Sequence, residues 1–400
     1  MKPLIFGALV IFLALSAALI APSAASSAGG DPELVASDYK LLDPITHGNL
    51  TVFPVVSARS HDTSQFLTLD EGIRSGEVVV TEVGNLHTMV RRHPLPNGFG
   101  GGARVNNLVL VNNSERPLIL LAGEIVTGGK QDRVVGKDRI VPAESDPVDL
   151  GVFCVEPHRW VETSLKFDTH ASVMAQPSVR KKAMADKNQE QVWAEVGKAK
   201  IQMADNLRAA AAPPARAGSG SGTGNASGSG SGGGFGPSIS TVEATAALHQ
   251  VDGTSSYAAA RENNVVQKQM ESITEPMQKS YESLIKQLRN QNAVGVVVAV
   301  KGRIVWADLF ASNALLSKYW PKLLQSYAAE ALTTPGDHGN VSVKEAQRFL
   351  DDWQARHETV ESEPGLYRQR ELVGDRFRAF ELTSLLPKAS FDVHLSKMAE

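Results

Sequence analysis

Cysteine is nearly absent: Cys154 is the only one in 400 residues. A chain with one thiol forms no internal disulfide, so its core must hold without covalent staples. Aromatic residues are sparse, at 6%. Neither sign of charge dominates, since 40 Lys+Arg against 43 Asp+Glu leave a formal charge of -3. That balance argues against a nucleic-acid partner and against a polybasic membrane contact. The common enzyme signatures are also missing. The ten histidines include no pair at a metal-ligand spacing and no H-E-x-x-H, so no metal is expected. Residues 97–102 are glycine-rich without spelling G-x-G-x-x-G, Gly128-Gly129-Lys130 lacks the rest of a P-loop, and no G-x-S-x-G elbow occurs. No cofactor is therefore expected, although catalysis by another route is not excluded.

What is present begins at the N-terminus. Lys2 supplies a positive start, residues 4–20 are an unbroken run of apolar and small residues, and Pro22 ends it. Ser23-Ala24-Ala25 and Ser26-Ser27-Ala28 both fit a small-x-small cleavage site. Residues 1–28 therefore read as a signal peptide, and the mature protein as secreted or periplasmic with no further membrane contact. The alternative is an uncleaved N-terminal membrane anchor, because the run approaches the ~20 residues that span a bilayer. Residues 26–38 read as an unstructured tail.

From residue 40 to about 166 the pattern is strands. Short apolar runs at 50–56, 77–83, 107–111, 117–121, 140–141 and 148–155 are separated by turn residues, with a short helix at 69–75. Val148, Leu150, Val152 and Cys154 share one strand face, which makes Cys154 a small buried hydrophobe. Residues 189–207 read as helix, with Trp193 and Val196 on one stripe. Residues 212–238 are so rich in Gly, Ser, Ala and Pro that they read as a flexible loop. Val266, Met270, Ile273, Met277, Tyr281, Leu284 and Leu288 then mark one buried helical face, with a kink or break expected at Pro276. A hairpin at 292–310, helices begun by Ser312 and by the Ser342/Glu345 capping box, and four strands between 357 and 395 complete the chain. The class is α+β: an N-terminal antiparallel β-rich, sandwich-like half packed with a C-terminal half of long helices and β-hairpins.

Polar residues are densest between 117 and 160. Read as a two-residue hairpin turn, Gly128-Gly129 places Thr127 opposite Lys130 and Glu124 opposite Arg133. Glu124 and Arg133 would then form a cross-strand ion pair worth about 0.2–1 kcal/mol. The functional alternative is an anion or polar-ligand site made by Lys130, Gln131 and Arg133, with Glu124 orienting the arginine. Pleating sends Gln131 and Arg133 to one face and Lys130 and Asp132 to the other, so Glu124, Gln131 and Arg133 make the better set. Glu156, His158, Arg159 and Trp160 follow a buried strand end. There Trp160 can stack on a ligand and Arg159 can meet an anion, or the segment can simply pack as a turn.

Several pieces of this text, in order, resemble the domain associated with ADP-ribosylglycohydrolases and rhodanese-phosphatase proteins, a family of unknown function. They are "FLTLDEGIRSGEVVVTEV", "NNSERPLILLAGEIVTGGKQDRVV", "IVPAESDPVDLGVFCVEPHRW", "VGVVVAVKGRIVWADLF" and "YWPKLLQSYAAEAL", spanning about 49–332. Against family wording near "GEELVGAKQNR" and "CVEQGRW", Glu124, Lys130, Gln131, Arg133, Glu156, Arg159 and Trp160 match. Asp132 replaces Asn, and Pro157-His158 replaces Gln-Gly. The resemblance crosses the Gly/Ser-rich loop, which makes residues 40–332 one interrupted unit, with the helix and strands of 333–400 packed on it. It also implies ADP-ribose or NAD chemistry and hence a nucleotide-like, phosphate-bearing ligand. The expected function is a binding module for a small anionic or nucleotide-like ligand. The alternatives are a hydrolase of ADP-ribose-related or phosphate-bearing substrates and a non-catalytic cell-envelope protein. N-terminal sequencing of the exported protein should find Ser26 or Gly29 first; recovery of Met1 in a membrane fraction would establish the anchor instead.

Overall fold

The computed structural model describes residues 39–85, 106–169, 173–212, 239–288, 292–336 and 338–400. The expected signal peptide at 1–28 and residues 213–238 of the Gly/Ser-rich loop lie outside the described residues. The fold is α+β. Its largest sheet has nine antiparallel strands, eight of them in the order Tyr39–Leu41, Leu50–Ser57, Asn292–Val300, Arg303–Phe310, Ala389–Ala399, Phe377–Leu386, Tyr367–Val373 and His357–Glu363. The ninth, Ile45–His47, pairs with Leu50–Ser57.

The central strands are apolar on both faces because both are covered. Leu50, Val52, Val296 and Val298 pack with Leu316, Tyr319 and Leu323 of the helix Asn313–Thr333. Their neighbours Phe53, Val55, Val297 and Ala299 point the other way, to Ala346 and Leu350 of the helix Val343–Asp351. Lys301 (φ 50) and Gly302 (φ 75) both adopt left-handed backbone, as a tight two-residue hairpin turn requires.

Two smaller sheets face each other. One, of six strands, runs Phe167–Asp168, Ile125–Gly128, Arg133–Val135, Val148–Cys154, Asn107–Asn112 and Val78–Glu82. The other contains Arg139–Val141, Leu118–Leu120 and Leu67–Thr68, the last two parallel. Val80, Leu110, Leu120, Val141, Leu150 and Val152 fill the space between them. A separate helical core joins Gln189–Ala211, Thr241–Gly253, Tyr257–Arg261 and Asn264–Gln287. The helix expected to kink or break at Pro276 is unbroken. Val266 and Met270 before the proline and Met277 and Tyr281 after it all bury on one face, which offsets the ~3 kcal/mol that an interior proline costs. Among the described residues, no helix is long and apolar enough to cross a membrane.

A buried polar network ties these parts together. Asp308, on the hairpin strand, accepts from Arg180 Nη1 and Nη2 at 2.9 and 3.0 Å, Trp306 Nε1 at 3.0 Å and His394 Nε2 at 3.1 Å. The Tyr327 hydroxyl donates to it as well. His394 Nδ1 meets Asp138 Oδ2 at 2.7 Å, and Asp138 Oδ1 accepts the Ala122 N–H at 2.7 Å. Two carboxylates thus balance two cations in an interior where an unpaired charge would be costly. Burial alone would lower the His394 pKa, but Asp138 and then Asp308 outweigh it and raise it to about 9.

The raised pKa sets a pH window. The charged imidazole stabilises the fold fully below the ordinary histidine value, and that contribution is lost as pH rises through about 9. His394→Asn should therefore be less stable than the parent at about pH 6, and the gap should narrow toward about pH 10. Denaturant midpoints across that range test this, and a constant gap would refute a charged His394.

Candidate functional site

The strand Val148–Cys154 buries Leu150, Val152 and Cys154 and exposes Asp149 and Gly151, the alternation its sequence implies. It ends with Cys154 paired across to Arg133. The expected two-residue turn at Gly128-Gly129 does not form. Val126, not Glu124, lies opposite Arg133, and Ile125 lies opposite Val134. Asp132 of the loop itself and three side chains from other segments take the loop amides that would otherwise close a tight turn. Gly128 N–H donates to Asp132 Oδ1 at 3.1 Å, Gly129 N–H to Ser164 Oγ at 3.1 Å, Lys130 N–H to Glu82 Oε1 at 3.1 Å and Asp132 N–H to Glu156 Oε2 at 3.0 Å. Gly129 has φ +48, and a Cβ there would lie 2.3 Å from the Phe167 ring. Only glycine fits both conditions.

Glu124 is consequently absent from the Arg133 cluster. Its side chain bonds Lys322 and accepts the Leu121 N–H at 2.7 Å, and Lys322 Nζ also lies 2.8 Å from Asp70 Oδ2. All three side chains are buried. Burial pushes the Glu124 carboxyl up, opposed by the Lys322 ammonium. The expected ion pair and the expected orienting role are both replaced by this interior triad.

The remaining candidates gather around the loop. Arg159 Nη2 lies 2.6 Å from Glu156 Oε2 and 3.4 Å from Asp132 Oδ1. Its Nη1 donates to the carbonyls of Gly129 at 3.0 Å and Val161 at 2.8 Å. Arg159 is thus a clasp around the loop. Gln131 Nε2 donates to Glu156 O at 3.0 Å. Lys130 is half-buried, with its ammonium 5.3 Å from the centroid of the Trp160 ring, which is 44% exposed.

Arg133 differs from the others. It is 0% exposed, yet forms no ion pair with a carboxylate among the described residues. Nη1 makes one long hydrogen bond, to Asp132 O at 3.4 Å, while Nε and Nη2 have no partner there. Glu82 Oε2 and Gln131 Oε1 are likewise buried and unpartnered. Burial lowers the Arg133 pKa, partly countered by Cys154, Glu82 and Asp132. Burial pushes the Glu82 and Asp132 carboxyls up. It also raises the Cys154 thiol, whose sulfur accepts the Glu156 N–H at 3.3 Å.

Sequence reading missed Glu82, Asp132 and Ser256, whose hydroxyl donates to Asp132 Oδ2 at 2.6 Å. Glu82 had a signal: it shares the inward parity of Val78 and Val80. Ser256 had none, because the tertiary fold alone brings it 124 positions back to the loop. Among the described residues, no group of three or more His, Cys, Asp or Glu is arranged to hold a metal ion. A 690 Å³ cleft between the helices Asn264–Gln287 and Asn313–Thr333 is lined by none of the seven candidates.

The family model described as the ARG and Rhodanese-Phosphatase-superfamily-associated Protein domain, ARPP-1, matches residues 38–398. No curated protein and no solved structure matches the chain.

The triad at Lys322 yields a stability prediction. Lys322→Ala strands two buried carboxylates and should cost about 3–5 kcal/mol in denaturant unfolding. Adding Glu124→Gln should recover part of that loss. A loss below about 1 kcal/mol would mean that Lys322 does not hold the pair.

Proposed function

This chain belongs to the ARG and Rhodanese-Phosphatase-superfamily-associated Protein domain family, and from that premise we propose that it is a binding module for a small anionic, nucleotide-like ligand held at Arg133. One observation carries the reading: a guanidinium buried to 0% exposure with two of its nitrogens unpartnered among the described residues. Buried donors are almost always satisfied, and leaving one unmade costs about 1–3 kcal/mol. A ligand acceptor at Nε and Nη2 removes that cost. Lys130 and the exposed Trp160 ring stand nearby as a rim cation and a stacking face. The family's association with ADP-ribose chemistry points to the same ligand class. The apolar run at 4–20 and its small-residue exit support action outside the cytoplasm.

A second reading, a non-catalytic envelope scaffold, draws support from Glu156 and Arg159, whose charges are spent on the loop itself. Thermal unfolding separates the two. With ADP-ribose, NAD, nucleotides or simple phosphates at a hundred times the dissociation constant, the protein should gain roughly 2.7 kcal/mol, a shift of several degrees. Arg133→Lys keeps the charge but loses the planar fork, and should abolish the shift while remaining folded. If none of these ligands shifts the midpoint and Arg133→Lys is merely less stable, the loop is scaffold.

A further inference from the structure

The unpartnered atoms around Arg133 are of two kinds, and together they constrain the ligand more than the arginine does alone. Arg133 Nε and Nη2 can only donate, whereas Glu82 Oε2 and Gln131 Oε1 accept. All three side chains are at most 4% exposed. Glu82 is fixed against the loop by its other oxygen, which accepts the Lys130 N–H, and Gln131 by its amide nitrogen, which donates to Glu156 O. Each therefore holds one oxygen in reserve. A bare phosphate would satisfy the guanidinium but bring negative charge to a shell that already contains the Glu82 and Asp132 carboxyls. It would also leave both acceptors unmet. A hydroxyl group donates and accepts through one atom, so adjacent hydroxyls meet both sets.

We infer that the group received by Arg133, Glu82 and Gln131 is the hydroxyl-bearing sugar portion of the ligand, with any phosphate left to the Lys130–Trp160 rim. This rests on the reading of Arg133 as a binding group and adds the orientation of the ligand. The segment 157–166 lies against the loop through Arg159 and Thr163, and most of its residues are exposed. It is held at Gly129 by the Thr163 N–H, 2.8 Å from Gly129 O, and by Ser164 Oγ, so its displacement frees the loop that carries Gln131 and leads to Arg133.

Isothermal titration calorimetry of the chain with D-ribose 5-phosphate, 2-deoxy-D-ribose 5-phosphate and inorganic phosphate tests the assignment. Ribose 5-phosphate should bind at least tenfold more tightly than either of the others. Glu82→Gln should weaken ribose 5-phosphate about tenfold and leave inorganic phosphate unchanged or tighter. The comparison with the deoxy sugar reads the same contact without any change to the protein. If phosphate binds as tightly as the sugar phosphate, and Arg133→Lys weakens both, the site is a simple anion site and only the sugar assignment falls. If none of the three binds, and no ligand is sensitive to Arg133→Lys, both readings fall.

Discussion

The Asp308 carboxylate is the constraint on which the rest of the structure depends. It is wholly buried, and burial by itself opposes its ionisation. The Arg180 guanidinium and then His394 nevertheless hold its carboxyl well below the usual range. Its donors come from the helix Pro177–Met184, from the hairpin strand itself, from the helix Asn313–Thr333 and from the last strand, Ala389–Ala399. Neither the helix Pro177–Met184 nor the last strand can leave the hairpin strand without stranding a charge in a low-dielectric interior, and the helix Asn313–Thr333 cannot leave without costing the carboxylate its Tyr327 donor. The large sheet and its helix are thus joined by this network as well as by their apolar contact.

The same network reaches toward the loop. Asp138 holds the Ala122 N–H, and Arg180 Nε donates to Ala122 O at 3.3 Å. The next residue, Gly123, has φ +97, and a Cβ there would lie 2.5 Å from the Arg180 side chain. The chain then passes Glu124, pinned by Lys322, into the strand Ile125–Gly128 and the loop that ends at Arg133. A buried charge cluster and a buried triad therefore set where the loop begins. Carboxylates from elsewhere set its shape.

Charge at the loop divides by use. Glu156 and Arg159 neutralise each other and hold the loop through its backbone and through Asp132, which makes them architectural. Arg133, Gln131 and Glu82 keep unmet donors and acceptors, and there the polar accounting of the structure is incomplete. The distinction is invisible to charge counting, since Gln131, Arg133, Glu156 and Arg159 all read as the same dense polar text.

Much of the architecture was legible from local chemistry. Period-two alternation gave the inward face of Val148–Cys154, two apolar runs flanking residues 301–303 gave the hairpin, and Ser342 with Glu345 gave a helix start that forms both capping bonds. The candidate stretch was also legible, because all seven candidates fall within 124–160, where charged residues crowd between buried strands. Their roles were not. The turn at Gly128-Gly129 failed because local turn propensity is weaker than four amide bonds to Asp132, Ser164, Glu82 and Glu156. Glu124 found Lys322 rather than Arg133 because a partner 198 positions away leaves no periodic trace. The sequence by itself determined the class of fold, most of its elements and the region where the polar chemistry lies. Only the tertiary structure decided which charges are satisfied, because a salt bridge or an orphaned donor depends on what long-range packing brings within 3 Å, and no local pattern encodes that distance.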